Sequence, residues 1–173
     1  MRKLTAFSLS LLLLTGAAAM AQEMTKKPPL SPPAKAEATL SNGKKVTVDY
    51  SAPSMRARKI MGELVPYGKV WRTGANAATT LKTEGDIMLG SIHVPAGTYT
   101  LYTIPGEKEW TLIVSKQTGQ WGSTYDETQD LGRTKMTVKT TASPVETFAI
   151  AATPAALTMT WENTQASVPV VAH

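Results

Sequence analysis

The chain has no cysteine, and only two histidines, His93 and His173, in 173 residues. Without cysteine there are no disulfide staples, no thiol chemistry, no thiolate metal site and no lipid-modified cysteine. Two histidines so far apart in sequence provide no His-Glu-x-x-His spacing, and neither belongs to a nucleophile motif such as Gly-x-Ser-x-Gly. No glycine-rich phosphate loop follows a strand and opens a helix, so nucleotide binding lacks its usual signature. No apolar run reaches the ~20 residues that a spanning helix needs. Charge of one sign is also scarce. The formal net charge is +5, and the basic residues are scattered apart from Lys26-Lys27 and Arg56, Arg58 and Lys59. That pattern describes a solvated surface and gives no footprint for nucleic acid. No cofactor and no metal are expected.

What is present begins with an export signal. Arg2 and Lys3 form a positive start, Leu4 to Thr15 an apolar stretch, and Ala19-Met20-Ala21 a small-x-small cleavage pattern. Residues 1–21 therefore read as a signal peptide cleaved before Gln22. The expected location is periplasmic or extracellular, with no transmembrane segment after cleavage. Residues 22–35 carry Pro28, Pro29, Pro32 and Pro33 and predict an extended tether. Residues 36–171 are long enough for one self-sufficient core.

This domain reads as strands. Ala38 to Leu40 and Val46 to Tyr50 flank Asn42-Gly43 and predict a hairpin, because both turn residues tolerate positive φ. Further strands are predicted at Thr79–Thr83, Ile87–Leu89, Ser91–Val94, Thr98–Ile104, a central Trp110–Ser115, Lys135–Lys139, Val145–Ile150, Leu157–Glu162 and Val168–Val171. Pro169 suits the last of these to a sheet edge, since proline cannot donate to a ladder. No useful window has a 3.6-residue apolar period. The expected fold is all-β: one antiparallel β-sandwich, jelly-roll-like in wiring or not, with a closed β-barrel as the alternative.

The least strand-like part is the long connection 51–78. Ile60, Leu64, Val65, Tyr67, Val70 and Trp71 are too apolar for disorder, so it is expected to be ordered and anchored by Ile60, Leu64, Val65 and Val70. Its Arg58-Lys-Ile-x-Gly-x-Leu-Val-Pro-Tyr-Gly-Lys-Val-Trp-Arg-Thr-Gly-Ala-Asn76 run, Pro95-Ala-Gly-Thr-Tyr-Thr-Leu-Tyr-Thr-Ile-Pro105, Glu109-Trp-Thr111 and Trp121-Gly-Ser-Thr-Tyr-Asp126 resemble the domain of unknown function 2911 family. The resemblance implies an exported bacterial β-sandwich and no established activity or cofactor. The chain departs from the family pattern at Ala52, where Arg is frequent, at Ala57, where Gly is common, and at Ser115, which replaces a typical Asn.

Candidate ligand-binding residues fall in two segments. Arg56, Arg58, Tyr67, Trp71, Arg72 and Asn76 lie in the long connection. The planar guanidinium grips carboxylate or phosphate with two parallel hydrogen bonds and stacks on aromatic faces. The plainer reading is that Arg58 and Arg72 pair with acids such as Glu63 or Asp126. Trp121, Tyr125 and Asp126 lie in a second loop, where the aromatics either form a stacking platform or plug the sandwich. Tyr99 and Tyr102 should point to opposite faces of one strand, and Tyr102 joins the candidates. Asp126 and Asp130 are the raw material for a paired-carboxylate hydrolase. The sequence thus favours a non-catalytic β-sandwich binding a small ligand, a glycan or an envelope protein. The alternatives are a carboxylate-based glycan hydrolase and a structural envelope protein without a pocket.

Overall fold

The computed structural model describes residues 29–173. Residues 1–21, read as a signal peptide, and the first half of the proline-rich segment lie outside the described residues. The described chain is all-β, with nine strands in one antiparallel sheet in the order β1-β2-β3-β6-β7-β8-β9-β4-β5. The strands are β1 (Pro33–Thr39), β2 (Lys45–Ser51), β3 (Thr79–Thr83), β4 (Ile87–Leu89), β5 (Ile92–Val94), β6 (Gly97–Ile104), β7 (Glu109–Ser115), β8 (Asp130–Ala152) and β9 (Ala156–Ala172). Helix among the described residues amounts to one 3-10 turn over Glu127–Gln129. The sheet folds over so that β1 and β2 lie against β8. It does not close into a barrel: β1 and β5 each pair on one side only and remain edges.

The hairpin forms where alternation and turn residues require it. Val46 and Val48 of β2 are buried opposite Ala38 and Ala36 of β1. The turn differs from expectation in one respect. Only Gly43 takes positive φ (78°), and its N–H donates to the Leu40 carbonyl at 2.9 Å. Asn42 instead accepts the Lys44 N–H on its side chain at 3.1 Å, the usual device of a turn Asn. Strand β1 also starts earlier than the tether reading allows, since Pro33 to Lys35 pair with Ser51 to Asp49. Proline is tolerated there because it is the first residue of an edge strand.

The core lies between the folded halves and is dominated by Leu81, Leu101, Trp110, Leu112, Val114, Met136, Phe148, Met159 and Trp161. Strand β7 is central, fifth of nine. Two pairs of predicted strands prove continuous: 135–139 and 145–150 run through β8, and 157–162 and 168–171 run through β9. Register jumps between Thr140 and Val145 and again before Ala149 bend β8 without ending it. Pro169 is consequently not on an edge strand. It sits where β9 has left β8, after Ser167, and before it pairs with β4 from Val170. Its carbonyl still accepts the Gly90 N–H at 2.9 Å.

The connection 51–78 is ordered, but half of its expected anchors face water. Ile60 and Val65 are buried, whereas Leu64 is 47% and Val70 40% exposed. Glu162 does what the two aliphatics do not. Its carboxylate accepts the Ile60 and Met61 N–H groups at 3.2 and 2.9 Å, tying the connection to β9. Glu162→Ala leaves both donors without that partner. The expected loss is about 2 kcal/mol in urea unfolding, since a bond to a charged group is worth about 1.5–3 kcal/mol and water reaches this half-buried site.

Candidate functional site

Strand β3 begins at Thr79, opposite Leu101 of β6. Beyond it the connection takes β3's place beside β6. Trp71 and Thr103 exchange backbone hydrogen bonds at 2.7 and 2.9 Å. This pins Trp71 with its ring inward. The indole stacks on Trp161 at 5.8 Å between centroids and 19° between planes, and meets Phe148 and Trp110 edge-on at 5.0 and 6.1 Å. Arg72, next along the chain, is thereby turned toward the surface.

The turn that follows is strained. Thr73 and Asn76 have φ of 55° and 59°. Asn tolerates this region, but for β-branched Thr it is an outlier, and such residues persist only where surroundings hold them. Here the Thr73 and Thr103 hydroxyls lie 3.1 Å apart, and the Thr79 hydroxyl donates to the Thr73 carbonyl at 2.8 Å. The second loop closes on this turn. Ala77 bridges Trp121, and the Gly122 N–H donates to the Asn76 carbonyl at 3.1 Å. Gly122 is required for that approach, because a Cβ there would lie 2.5 Å from Arg72 Cδ and 2.7 Å from the Asn76 oxygen.

The two segments singled out in the sequence therefore meet at Arg72. A cavity of about 490 Å³ lies on one side, lined by Arg56, Arg58, Lys69, Trp71, Arg72 and Asn76 among others, with no Asp or Glu in its wall. A second, of about 370 Å³, lies on the other side, lined by Val70, Trp71, Arg72, Tyr102, Gly122, Ser123 and Tyr125. Val70, Trp71 and Arg72 belong to both. Three candidates stand outside both walls. Tyr67 packs its ring over Gly62, Trp121 is 59% exposed, and Asp126 caps the 3-10 turn.

The expected arginine–carboxylate pairs are absent among the described residues. Arg58 donates to the Ser54 and Met55 carbonyls at 2.8 and 2.9 Å, and Arg56 to the Leu30 carbonyl. Glu63 pairs with Lys59 at 3.5 Å instead. Asp126 accepts the Thr128 N–H and hydroxyl at 2.9 and 2.7 Å, and these bonds hold its carboxyl below the usual range. The Arg72 Nε is buried with no hydrogen-bond partner. A half-buried cation with an unmet donor is costly unless something else meets it.

On the far side, Tyr102 and Tyr125 meet edge-on at 4.9 Å. Tyr99 packs half-buried against the core, and Tyr102, on the other face of the strand, is buried beneath the second loop. The Tyr102 hydroxyl donates to the Thr124 carbonyl at 2.7 Å. The Tyr125 hydroxyl donates to Asp130 at 2.9 Å and accepts from Arg133 at 2.8 Å. Burial first, then the Asp130 hydrogen bond and charge, push this phenol up to about 12. It is a fixed neutral donor, unavailable as a base.

The histidines are closer than their sequence separation suggests. Their rings lie 5.0 Å apart, and His93 Nε2 is 3.5 Å from an Asp86 carboxylate oxygen. His173 is held rather than frayed, its N–H donating to the Asp86 carbonyl at 3.0 Å. The β4–β5 hairpin and the end of β9, which adjoin in the sheet, bring them together.

The family described as protein of unknown function DUF2911 matches residues 31–170, nearly all of the described chain. The chain belongs to that family. No curated protein and no solved structure matches it. The DUF2911 resemblance marked three departures, and two of them have visible consequences. Ala57 holds φ at 58°, a conformation natural to the glycine common at that position. Ser115 is fully buried, with its hydroxyl accepting the Gln117 N–H at 3.3 Å.

Proposed function

We propose that this DUF2911 protein is an exported, non-catalytic binding protein that takes a small anionic ligand between the 51–78 connection and the Trp121–Asp130 loop. One observation carries the reading: Arg72, whose buried Nε has no partner, lines two cavities, one of which has three further cations and no carboxylate in its wall. The Arg72 guanidinium has no ion pair among the described residues, so it can offer a carboxylate or phosphate charge-assisted bonds. The export part rests on the positive start, apolar stretch and Ala19-Met20-Ala21 pattern.

The hydrolase alternative is disfavoured by chemistry. It needs one carboxyl raised to act as acid. Asp126 is lowered and tied to its cap, and Asp130 is bound by Arg133 at 2.8 Å. Neither lines either of the two cavities described. A purely structural role leaves the two cavities and the unmet donor without a purpose.

Thermal unfolding of residues 22–173 with citrate, sulfate or glucuronate, against glucose at matched ionic strength, tests the reading. A ligand at 100 times its Kd adds about 2.7 kcal/mol, which for a domain of this size raises Tm by about 5–10 °C. Selective stabilisation by an anion is expected. No selective shift from any of the three, or the same shift in Arg72→Ala, overturns it.

A further inference from the structure

Resting on that reading, we infer that the ligand is an acidic oligosaccharide of at least two rings, lying across Arg72 with its anionic sugar in the larger cavity and a neutral sugar in the smaller. The two cavities share Val70, Trp71 and Arg72, so they adjoin, and a molecule reaching from one to the other has only these three residues to pass over. Together they fall in the size range of ordinary small-ligand sites.

Their electrostatics differ. The larger cavity adds Arg56, Arg58 and Lys69 to the shared Arg72, against one nearby acid, Glu146, which accepts the Arg56 backbone N–H at 2.8 Å. The smaller has no other cation in its wall, and its Tyr125 is bonded to the Asp130 carboxylate at 2.9 Å. Glu127 lies just beyond, paired with Arg133 at 2.7 Å. An anionic group therefore gains on the arginine side and gains little beside Asp130. The smaller cavity offers Tyr125, Trp71 and Val70, apolar surface suited to the C–H face of an uncharged ring.

A peptide is the less favoured occupant. The commonest way to hold an extended peptide, strand addition, draws on free backbone groups of the host. Here the wall's backbone is committed to itself: Trp71 to Thr103, Gly122 to Asn76, and Gly68 to the Pro105 carbonyl at 2.8 Å. Side chains and aromatic faces remain to do the recognising.

Calorimetric titration of residues 22–173 decides it, using glucuronate, N-acetylglucosamine, the disaccharide joining the two, a tripeptide with a free C-terminal carboxylate, and citrate. The disaccharide is expected to bind at least 10-fold tighter than glucuronate, and N-acetylglucosamine weakest. In Ser123→Trp, which fills the smaller cavity from an exposed position, the disaccharide should lose that advantage. Lys69→Ala, in the larger cavity only, should weaken both acidic ligands equally and leave the advantage in place. Equal affinity for disaccharide and glucuronate overturns the two-ring inference and leaves anion binding standing. Citrate or the tripeptide binding while both acidic sugars fail overturns the sugar class alone. Failure of all five overturns the binding reading with it.

Discussion

Trp161→Ala is expected to lower the unfolding free energy by about 3–5 kcal/mol. Trp161 alternates in phase with Leu157 and Met159 along β9, and all three are buried. Its ring stacks on Trp71 and meets Phe148 edge-on at 5.8 Å and 60°. Truncation removes the transfer energy of the ring and leaves a void that a close-packed sandwich refills only in part. It also removes the indole N–H that donates to the Glu146 carbonyl at 3.1 Å. Because Trp71 rests on this ring, the wall shared by the two cavities should loosen as well. Urea unfolding should show a lower midpoint at unchanged slope. A loss below about 1 kcal/mol would contradict the packing described.

Arg72→Ala should behave in the opposite way. Stability is expected to change by less than about 1 kcal/mol, while affinity for the anionic ligand falls at least ~100-fold, about 2.7 kcal/mol. The reasoning is one of partners. Removing one member of a buried ion pair costs about 3–5 kcal/mol because the other charge is stranded. Arg72 has no carboxylate partner among the described residues, so nothing is stranded. Only the contact of its stem with Gly122 is lost. Arg72→Lys should fold as well as the parent and still bind poorly, since an ammonium cannot reproduce the planar fork. An unfolding loss of 3–5 kcal/mol in Arg72→Ala would identify a structural arginine and remove it from the site.

Fold class and most strand positions were legible along the chain. Alternation such as Val46-x-Val48-x-Tyr50 depends on neighbours within a few residues, and local physics decides it. Strand β3 and the β4–β5 pair around Gly90, whose φ is 60°, lie where the pattern places them. That Trp71 and Arg72 point in opposite directions follows from alternation; which of them faces inward is decided by the aromatic cluster around Trp161. Local reasoning failed where distant parts of the chain decide. Leu64 and Val70 look like anchors, yet Glu162, about a hundred residues away, holds the connection. The two histidines meet because β4, β5 and β9 adjoin.

The sequence by itself determined an all-β domain, and named both segments that form the candidate site. Only the tertiary structure decided which of their side chains converge. It placed Arg72 against Gly122, buried Tyr102, and left Tyr67, Trp121 and Asp126 outside the cavities. It also left Arg72 without the acid that the sequence offered it. The physical reason is range. Strand and turn preferences act over a few residues, whereas ion pairing, burial and cavity shape depend on where long-range strand pairing sets each loop, and no local pattern encodes that distance.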